Sequence, residues 1–390
     1  MLGPSWTDFS SSPRNDSAHI RVPHCGVPNL GATDILAMTR ILGIETSCDE
    51  TSAAVLEGRG DEVVQKSLVI LSQDIHRVFG GVVPEIASRA HLTSIVPVVE
   101  RALEEAGITL DDLDAVAVTN TPGLVGALLV GMSYGKALAF SRGIPLLGIH
   151  HMEGHLFAAA LEHRDAVPPF TALLVSGGHT LLLDVEAWGK YRLLGATRDD
   201  AAGEAFDKVA KLLGLPYPGG RYVEQLAVEG NPKHFRFTRA MVRKNALPTD
   251  DDYYAFSFSG VKTAVLNAVR ASKDIQADKA DVARAFQDSM IDTLVEKTWR
   301  AANAYSRQRV VLGGGVACNR TLVAAMRARL GPDGVTVFAP TPRLATDNAA
   351  MIARAGLFHF ERGVRDSLGL NAYASMPIPG MVTEPLVGSR

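Results

Sequence analysis

Short apolar runs rich in β-branched residues alternate along the chain with longer stretches of helical spacing. From Ile41 onward, the segments ILGIE, TSAAVLE and VVQKSLVIL predict three consecutive strands. Residues 84–106 repeat apolar positions at helical spacing and end at Gly107, which predicts a helix with a bend at Pro97. The same patterns next predict a buried strand, a helix and a short strand at 114–119, 124–142 and 145–149.

The plan then repeats from residue 170. Further strands are predicted at 170–175, 180–185, 191–194, 309–312 and 335–338, and helices at 201–213, 319–330 and 347–361. The stretch 220–305 is expected to be mostly helical. Two halves that each begin with a three-strand meander predict a duplicated α/β unit with a ligand cleft between its halves.

The domain limits follow from this repeat. Residues 1–38 are rich in Ser, Pro, Asn and Asp and lack periodicity, so we expect a disordered extension without the apolar core of a signal peptide. We assign 39–168 to the first domain, completed by the C-terminal helix at about 346–373. The second domain takes 169–345, with a helical insertion at about 220–305, and 374–390 is predicted to be a flexible tail.

Composition favours a cytoplasmic globular protein. Of the 390 residues, 47% are hydrophobic and 21% charged, and the three cysteines have no paired spacing, which argues for a reducing compartment. The longest apolar stretch, 124–140, contains three glycines and Lys136, so we interpret it as a buried helix and expect no membrane span.

The net charge of −3 predicts no global attraction to nucleic acid, yet one segment is locally basic. Residues 233–244 contain five cations with two phenylalanines between them: Lys233, Arg236, Arg239, Arg243 and Lys244, with Phe235 and Phe237. A nucleic-acid contact and a solvated face remain equal alternatives for this segment.

Two histidines form the first candidate for chemistry. His151 and His155 are four residues apart in a predicted helix, so their side chains point the same way, as metal ligands do. Far downstream, Asp347 in the segment ATDNAAM is expected to start a helix and to supply an oxygen ligand. The alternative is a coincidental pair of surface and core histidines.

Three turns that follow strands form the second candidate: residues 45–51, 176–180 and 313–319. Glycines in such turns let backbone N–H groups approach phosphate oxygens, and three turns at one cleft suit a nucleotide. The sequence Ser176-Gly177-Gly178 also fits a plain hairpin. Asn319 is either a ligand to a nucleotide or simply the cap of the next helix.

The predicted helix at 201–213 carries Glu204, Asp207 and Lys208 on one face. Asp207 could accept a hydrogen bond from a ribose hydroxyl. Local ion pairs on an exposed helix face are the alternative.

Taken together, these motifs resemble one family closely. LGIETSCDET, HHMEGH, LLVSGGHT, DDAAGEAFDKVAKLLGL with YPGG, FSFSGVKTA, VLGGGVACNR and ATDNAAM occur in order between about Thr39 and about Tyr373. They are similar to the motifs of the tRNA N6-adenosine threonylcarbamoyltransferases, a family formerly called O-sialoglycoprotein endopeptidases.

The resemblance implies an α/β fold of two duplicated actin-like (ribonuclease H-like) domains, of the sugar kinase and Hsp70 type, with a nucleotide cleft between them. It implies transfer of the threonylcarbamoyl group from threonylcarbamoyl-AMP to N6 of adenosine 37 in tRNAs that read codons beginning with adenine. One Fe²⁺ or Zn²⁺ ion would be held by His151, His155 and Asp347. The implied substrate-binding residues are Leu174, Val175, Ser176, Gly177, Gly178, Asp207, Gly220, Glu224 and Asn319. No residue presents itself as a general base.

Features such as HMEGHLFAA look like the bacterial branch of the family. That likeness implies two protein partners besides tRNA, namely a shorter inactive paralogue as dimer partner and a small P-loop ATPase. The helix at 124–142, with Gly131 and Gly135 four residues apart, could furnish the paralogue interface or be buried within its own domain.

Two other enzymatic activities compete with this one. A helical metalloprotease motif needs glutamate directly after its first histidine, where this chain has Met152, and Glu153 lies on a different helix face. A small-molecule kinase of the same fold does not need a His, His, Asp metal site in its cleft.

Overall fold

The computed structural model describes residues 38–383. The predicted disordered extension therefore lies outside the described residues except for Met38, and so do residues 384–390 of the predicted tail. Among residues 38–383, no helix combines the length and the apolar character needed to cross a membrane.

The first half forms a five-stranded sheet in the order β3-β2-β1-β4-β5. Its strands are β1 (Thr39–Glu45), β2 (Glu50–Arg59), β3 (Glu62–Ser72), β4 (Ala115–Thr121) and β5 (Leu146–His150). The first three strands are antiparallel neighbours, whereas β4 runs parallel to β1 and β5 parallel to β4.

Helices cover both faces of this sheet. Alternation along β1 points Leu42 towards α1 (Pro84–Ala106) and α2 (Val125–Arg142), and Ile41 towards α10 (Ala349–Glu361) on the other side. Gly107 adopts the left-handed conformation that ends α1. The short helix α3 (His151–Ala158) follows β5 directly.

The second half repeats the strand order of the first. Its sheet has the order β10-β9-β6-β7-β8-β11, so β8-β7-β6-β9-β10 match β3-β2-β1-β4-β5. The strands are β6 (Phe170–Val175), β7 (Thr180–Ala187), β8 (Lys190–Ala196), β9 (Arg309–Gly313), β10 (Thr336–Phe338) and β11 (Met381–Thr383). Antiparallel β6, β7 and β8 followed by parallel β9 and β10 confirm the predicted duplicated α/β architecture.

One strand departs from the expected pattern. Residues 381–383 fall in the predicted flexible tail, yet they form β11 and pair in parallel with β8. The preceding Ile378 is buried in the same core as Tyr191, and this burial holds the segment against the sheet.

Six further helices belong to the second half: α4 (Ala202–Leu212), α5 (Gly220–Ala227), α6 (Ser259–Ala271), α7 (Ile275–Ala304), α8 (Arg320–Leu330) and α9 (Pro342–Ala345). The stretch 220–305 was expected to be mostly helical, but residues 228–258 contain no helix. Lys297 of α7 holds this irregular segment in place. Its buried ammonium donates hydrogen bonds to the carbonyl oxygens of Met241, Asp252 and Tyr253.

The glycine face of α2 is buried against its own sheet. Methyl groups placed on Gly131 and Gly135 would lie 2.4 Å from Thr46 Oγ1 and 2.3 Å from Val118 Cγ1. Of the two alternatives for these glycines, internal packing is therefore the one that the structure shows. The side chains that α2 exposes, among them Val125 and Leu129, lie on another face.

Candidate metal centre

Both histidines of the predicted pair lie on α3, which starts where β5 ends. The side chain of His150 accepts a hydrogen bond from the backbone of Met152 and so caps the helix. His151 and His155 are buried on one helix face, with ring centroids 4.7 Å apart and ring planes at 84°.

Asp347 completes the cluster. Its Oδ1 atom lies 3.3 Å from Nε2 of His151 and 3.3 Å from Nε2 of His155, and the three ligand atoms all lie within 4.8 Å of one another. The residue does not start α10 as expected. Asn348 caps that helix by accepting a hydrogen bond from Met351, which leaves Asp347 just outside it and facing the histidines.

The environment of these three side chains fits a divalent cation. His155 is fully buried, and neither of its ring nitrogens has a hydrogen-bond partner among residues 38–383, because the contact with Asp347 lacks hydrogen-bond geometry. Such orphaned polar atoms are costly unless something satisfies them. Two imidazoles and a carboxylate suit iron, zinc or manganese.

Electrostatics at the cluster also favour added positive charge. Burial alone would lower the pKa of His151, but the carboxylates of Asp347 and Glu45 raise that pKa well above its usual value. Burial would likewise raise the pKa of Asp347, yet the neighbouring histidines hold it well below its usual value. The buried carboxylate of Glu45 and the partly exposed carboxylate of Asp347, beside two imidazoles, therefore form a site that stabilises a cation.

Glu45 positions the first histidine. Its fully buried carboxylate lies 3.0 Å from Nδ1 of His151 and accepts hydrogen bonds from Thr119 Oγ1 and the Ser47 amide, both at 2.5 Å. A proton on Nδ1 shared with Glu45 leaves Nε2 free to bind a metal ion, which is the usual arrangement for metal-bound histidine.

Glu45 was not among the predicted site residues. The available signal was a carboxylate at the carboxyl end of an apolar strand, at the head of the turn 45–51. We interpreted that turn only as a nucleotide contact, because nothing in the sequence indicates that it faces α3.

Glu153 is engaged away from the cluster. Its carboxylate accepts a hydrogen bond from the Tyr191 hydroxyl at 2.7 Å and lies 2.8 Å from Nε2 of His359. The expectation that this glutamate lies on a different face from the metal ligands is correct. It is not placed to activate a water molecule beside the histidines, as a metalloprotease requires.

The turn at 176–178 joins β6 to β7 as a hairpin, in which the Ser176 amide donates to the His179 carbonyl oxygen. Methyl groups placed on Gly177 or Gly178 would meet nothing within 4 Å, so the backbone there is open to a ligand. Leu174 and Val175 are different, because their side chains are fully buried in the core. These two residues offer a ligand only their backbone.

Neighbouring backbone segments close tightly around this turn. A methyl group on Gly314 would lie 2.4 Å from the carbonyl oxygen of Val175, and one on Gly203 would lie 2.5 Å from that of Ser176. A methyl group placed on Gly313 would lie 3.1 Å from the carbonyl oxygen of His155. The hairpin turn, the glycine turn after β9, the start of α4 and the histidine helix therefore meet at one place.

Asp207 on α4 accepts a hydrogen bond from the Gly219 amide at 2.7 Å. Burial, together with the negative charge of Asp49, raises the pKa of Asp207 to about 6. The predicted local ion pair exists, but it joins Lys208 to Glu204 and Asp200 and does not include Asp207.

Asn319 and Glu224 both cap the start of α8. The Asn319 side chain accepts from the Leu322 amide and donates to Gln287, and Glu224 accepts from the Arg320 amide at 2.7 Å. The structure shows that Asn319 caps α8, and binding of a nucleotide by Asn319 stays a prediction. Gly220, at the start of α5, has open space where a side chain would be.

The turn at 48–50 brings carboxylates towards α4. Burial raises the pKa of the Glu50 carboxyl well above its usual value, and Asp49 adds to this effect. Burial also raises the pKa of Tyr217, with further contributions from Asp49 and Asp207. The charges of the turn and of the α4 region are therefore close enough to affect one another, and we interpret the two segments as the walls of one polar cleft.

The basic segment 233–244 is partly neutralised. Arg239 pairs with Asp292 at 2.5 Å, Arg243 pairs with Asp252 at 2.6 Å, and Phe237 is buried. Phe235, Arg236 and Lys233 line an open groove of about 380 Å³. Arg236 and Lys233 have no acidic partner within the described part of the chain, so they are the cations that this groove offers to a polyanion.

Comparison with known proteins places this chain in a family. The family model described as TsaD, tRNA N6-adenosine threonylcarbamoyltransferase, matches residues 64–354. A protein of that name from Gemmatimonas aurantiaca is 64% identical over 350 residues, which cover 88% of this chain and 98% of the relative. Another from Syntrophotalea carbinolica is 50% identical over 341 residues, covering 87% and 96%.

Solved structures support the fold. HypF from T. kodakarensis superimposes with a TM-score of 0.56 at 13% identity, covering 84% of this chain and 48% of HypF. This likeness and the repeated strand order agree with the predicted actin-like fold. On the sequence matches, the chain belongs to the tRNA N6-adenosine threonylcarbamoyltransferase family and is a transferase.

Proposed function

We propose that this enzyme transfers the threonylcarbamoyl group from threonylcarbamoyl-AMP to N6 of adenosine 37, in tRNAs that read codons beginning with adenine. The observation that carries the proposal is the convergence of the His151, His155 and Asp347 cluster, whose two histidines are buried, with an open glycine turn at 176–178. One feature suits a metal ion, the other suits a phosphate, and an acyl-adenylate offers oxygens to both.

The reaction forms one bond and breaks another. The N6 amine of adenosine bonds to the carbamoyl carbon, the bond from that carbon to the phosphate oxygen breaks, and AMP leaves with the electron pair. The amine loses one proton, and we assign no residue as its acceptor. His151, His155 and Asp347 would hold one Fe²⁺ or Zn²⁺ ion, which when bound polarises the carbamoyl or phosphate oxygens.

The chain's own residues hold the adenylate in this proposal. The backbone amides of Gly177 and Gly178 donate hydrogen bonds to the phosphate of the adenylate, where they offset the negative charge that builds up on the leaving group. Asp207 accepts a hydrogen bond from a ribose hydroxyl. Gly220 lets the nucleotide approach the backbone, and Asn319 and Glu224 fix the start of α8 beside it.

We propose three macromolecular partners. The groove beside Arg236 and Lys233 suits the tRNA backbone. An inactive paralogue would dock on apolar side chains that α1 and α2 expose, namely Leu92, Val96, Val125 and Leu129. A small P-loop ATPase would complete the assembly. A tRNA substrate supports a cytoplasmic location for this enzyme.

The test is a transfer assay with threonylcarbamoyl-AMP labelled in its threonine and a tRNA transcript whose anticodon reads codons that begin with adenine. With the partners present, we expect labelled threonylcarbamoyladenosine in the nucleoside digest and one AMP per modified base. A transcript with guanosine at position 37 is the matched control and should remain unlabelled. Labelling of both transcripts, or of neither while a known family member labels the first, would contradict the proposal.

A further inference from the structure

The segment that joins β3 to α1 exposes more apolar surface than its own packing explains. Within residues 73–83, which we call the rim loop, Ile75, Val78 and Phe79 are 49%, 81% and 51% exposed. Three large apolar side chains that lie within five residues of one another and face water are typical of a binding surface.

The rim loop is closed by a buried histidine. Nδ1 of His76 accepts a hydrogen bond from the Val83 amide at 3.3 Å, so its Nε2 carries the proton and donates to Gln73 Oε1 at 2.9 Å. Because His76 joins both ends of the segment, the apolar side chains between them are held outward on a fixed frame.

One end of the rim loop is hydrogen-bonded to the turn at 48–50, which is next to the candidate site. The Gln73 amide donates to the Asp49 carbonyl oxygen at 3.1 Å. His91 of α1 holds the preceding carbonyl, that of Cys48, through its Nε2 at 3.0 Å. The rim loop therefore continues from the turn at 48–50, which forms one wall of the cleft.

The other side of the loop approaches the opposite wall. A methyl group on Gly80 would lie 3.8 Å from the ammonium nitrogen of Lys211 on α4. Lys211 lies four residues after Asp207, on the same face of that helix. The loop thus crosses from the first wall to the second at the rim of the cleft, beside an exposed lysine that has no acidic partner among residues 38–383.

We propose, on the basis of the proposed function, that the rim loop binds the anticodon loop of the tRNA. For N6 of the target adenosine to enter the cleft, the nucleotides on either side must lie on its rim. Phe79 and Val78 would contact the face of an unstacked neighbouring base, and Lys211 would contact a phosphate. An exposed aromatic ring beside an exposed cation is the combination with which proteins hold single-stranded nucleotides.

Paired replacement tests this assignment. Val78→Ser with Phe79→Ser should raise the KM for tRNA about five- to fiftyfold. The KM for threonylcarbamoyl-AMP, the kcat, the metal content and the thermal midpoint should stay unchanged, because both side chains are exposed. Val228→Ser with Leu247→Ser removes equally exposed apolar groups, 75% and 60% exposed, and should leave the KM for tRNA unchanged.

A conservative variant adds a direct readout. Phe79→Trp should keep the KM for tRNA near its normal value, and its fluorescence should be quenched by an unmodified anticodon stem-loop. An unchanged KM for tRNA in the serine variant would overturn the inference while wild-type transfer activity upholds the proposed function. Weaker association with the partner proteins, with normal KM for tRNA once they are saturating, would also overturn it and mark the loop as a protein interface.

Discussion

Among single side chains, Glu45 has the clearest role that the motifs do not indicate. Its carboxylate is buried and ionised, and it is hydrogen-bonded to Nδ1 of His151, whose Nε2 faces Asp347. Its effect on a metal ion is therefore indirect, through the orientation and charge of His151.

Glu45→Gln keeps the size of the side chain and removes its charge, so we expect metal affinity to fall about ten- to hundredfold. The measurement is the apparent Kd for Zn²⁺ in competition with a chelating dye. Glu57→Gln, on the adjacent strand β2 and paired with Arg40 at 3.1 Å, is the control and should leave that Kd unchanged. Equal Kd values for all three proteins would contradict a positioning role.

Asp207 gives a prediction for pH. Burial raises its folded-state pKa to about 6, above the usual value of 3.8, so ionisation above pH 6 destabilises the folded state. Stability from the protonated form is present at low pH and is lost as the pH rises through about 6.

Asp207→Asn retains an oxygen to accept from the Gly219 amide but cannot ionise. Relative to wild type, the variant should therefore gain thermal stability between pH 5 and pH 7.5, by an amount on the order of 2 kcal/mol. Thermal midpoints of both proteins at the two pH values supply the measurement. A difference that does not change with pH would show that Asp207 is not the titrating group.

The sequence was sufficient to group His151, His155 and Asp347, because helical spacing fixes the first two and a divalent ion needs an oxygen ligand. It was insufficient for Glu45, since the contact of a strand end with a histidine 106 residues later is a tertiary contact. It also left Asn319 open, because a helix cap and a ligand require the same amide side chain.

Among the helices and strands, close backbone contacts decide how the candidate site is assembled. The start of α4 touches the hairpin turn at 176–178 through Gly203, which has no room for a side chain. The position of α4 in turn sets that of Asp207.

Gly203→Ala should therefore push α4 away from the turn, with a loss of about 1–3 kcal/mol in stability and weaker AMP binding. Gly260→Ala in α6, where a methyl group meets nothing within 4 Å, is the matched control and should be neutral or slightly stabilising. Calorimetric titration with AMP and thermal unfolding of both variants check this. Normal AMP binding by Gly203→Ala would argue against a ligand site formed by α4 and this turn.

Element types and order were readable from apolar periodicity, and the repeated meander correctly indicated duplication. The irregular segment 228–258 was not readable in this way, because its carbonyl oxygens accept hydrogen bonds from Lys297 of α7, which lies 44 to 56 residues further along the chain. The strand β11 was missed for a similar reason, since three residues carry too little pattern to reveal a pairing with β8.

For the molecule as a whole, binding of a polyanion depends on a local group of cations and not on the net charge. The net charge is −3, and several cations of the segment 233–244 are paired with acids. Of the cations in this segment that line the groove, Arg239 is paired with Asp292. Lys233 and Arg236 have no acidic partner among the described residues, so they can bind a polyanion.

Lys233→Glu with Arg236→Glu should weaken tRNA binding most at low salt and make the slope of log K against log salt shallower, by about one for each lost contact. Lys190→Glu with Lys273→Glu makes the same change in net charge at two other exposed positions and should have a smaller effect. Filter binding across a salt series distinguishes the two. Identical slopes for both double variants would dismiss the groove as a tRNA contact.

The most direct test of the central claim measures bound metal and threonylcarbamoyladenosine formation in the same preparations. We predict one Fe²⁺ or Zn²⁺ ion per chain in the wild-type enzyme, loss of transfer after chelation and its return when the metal is restored. His155→Ala should keep the fold but contain no metal and make no modified nucleoside. Full transfer activity in a His155→Ala enzyme that contains no metal would contradict the account.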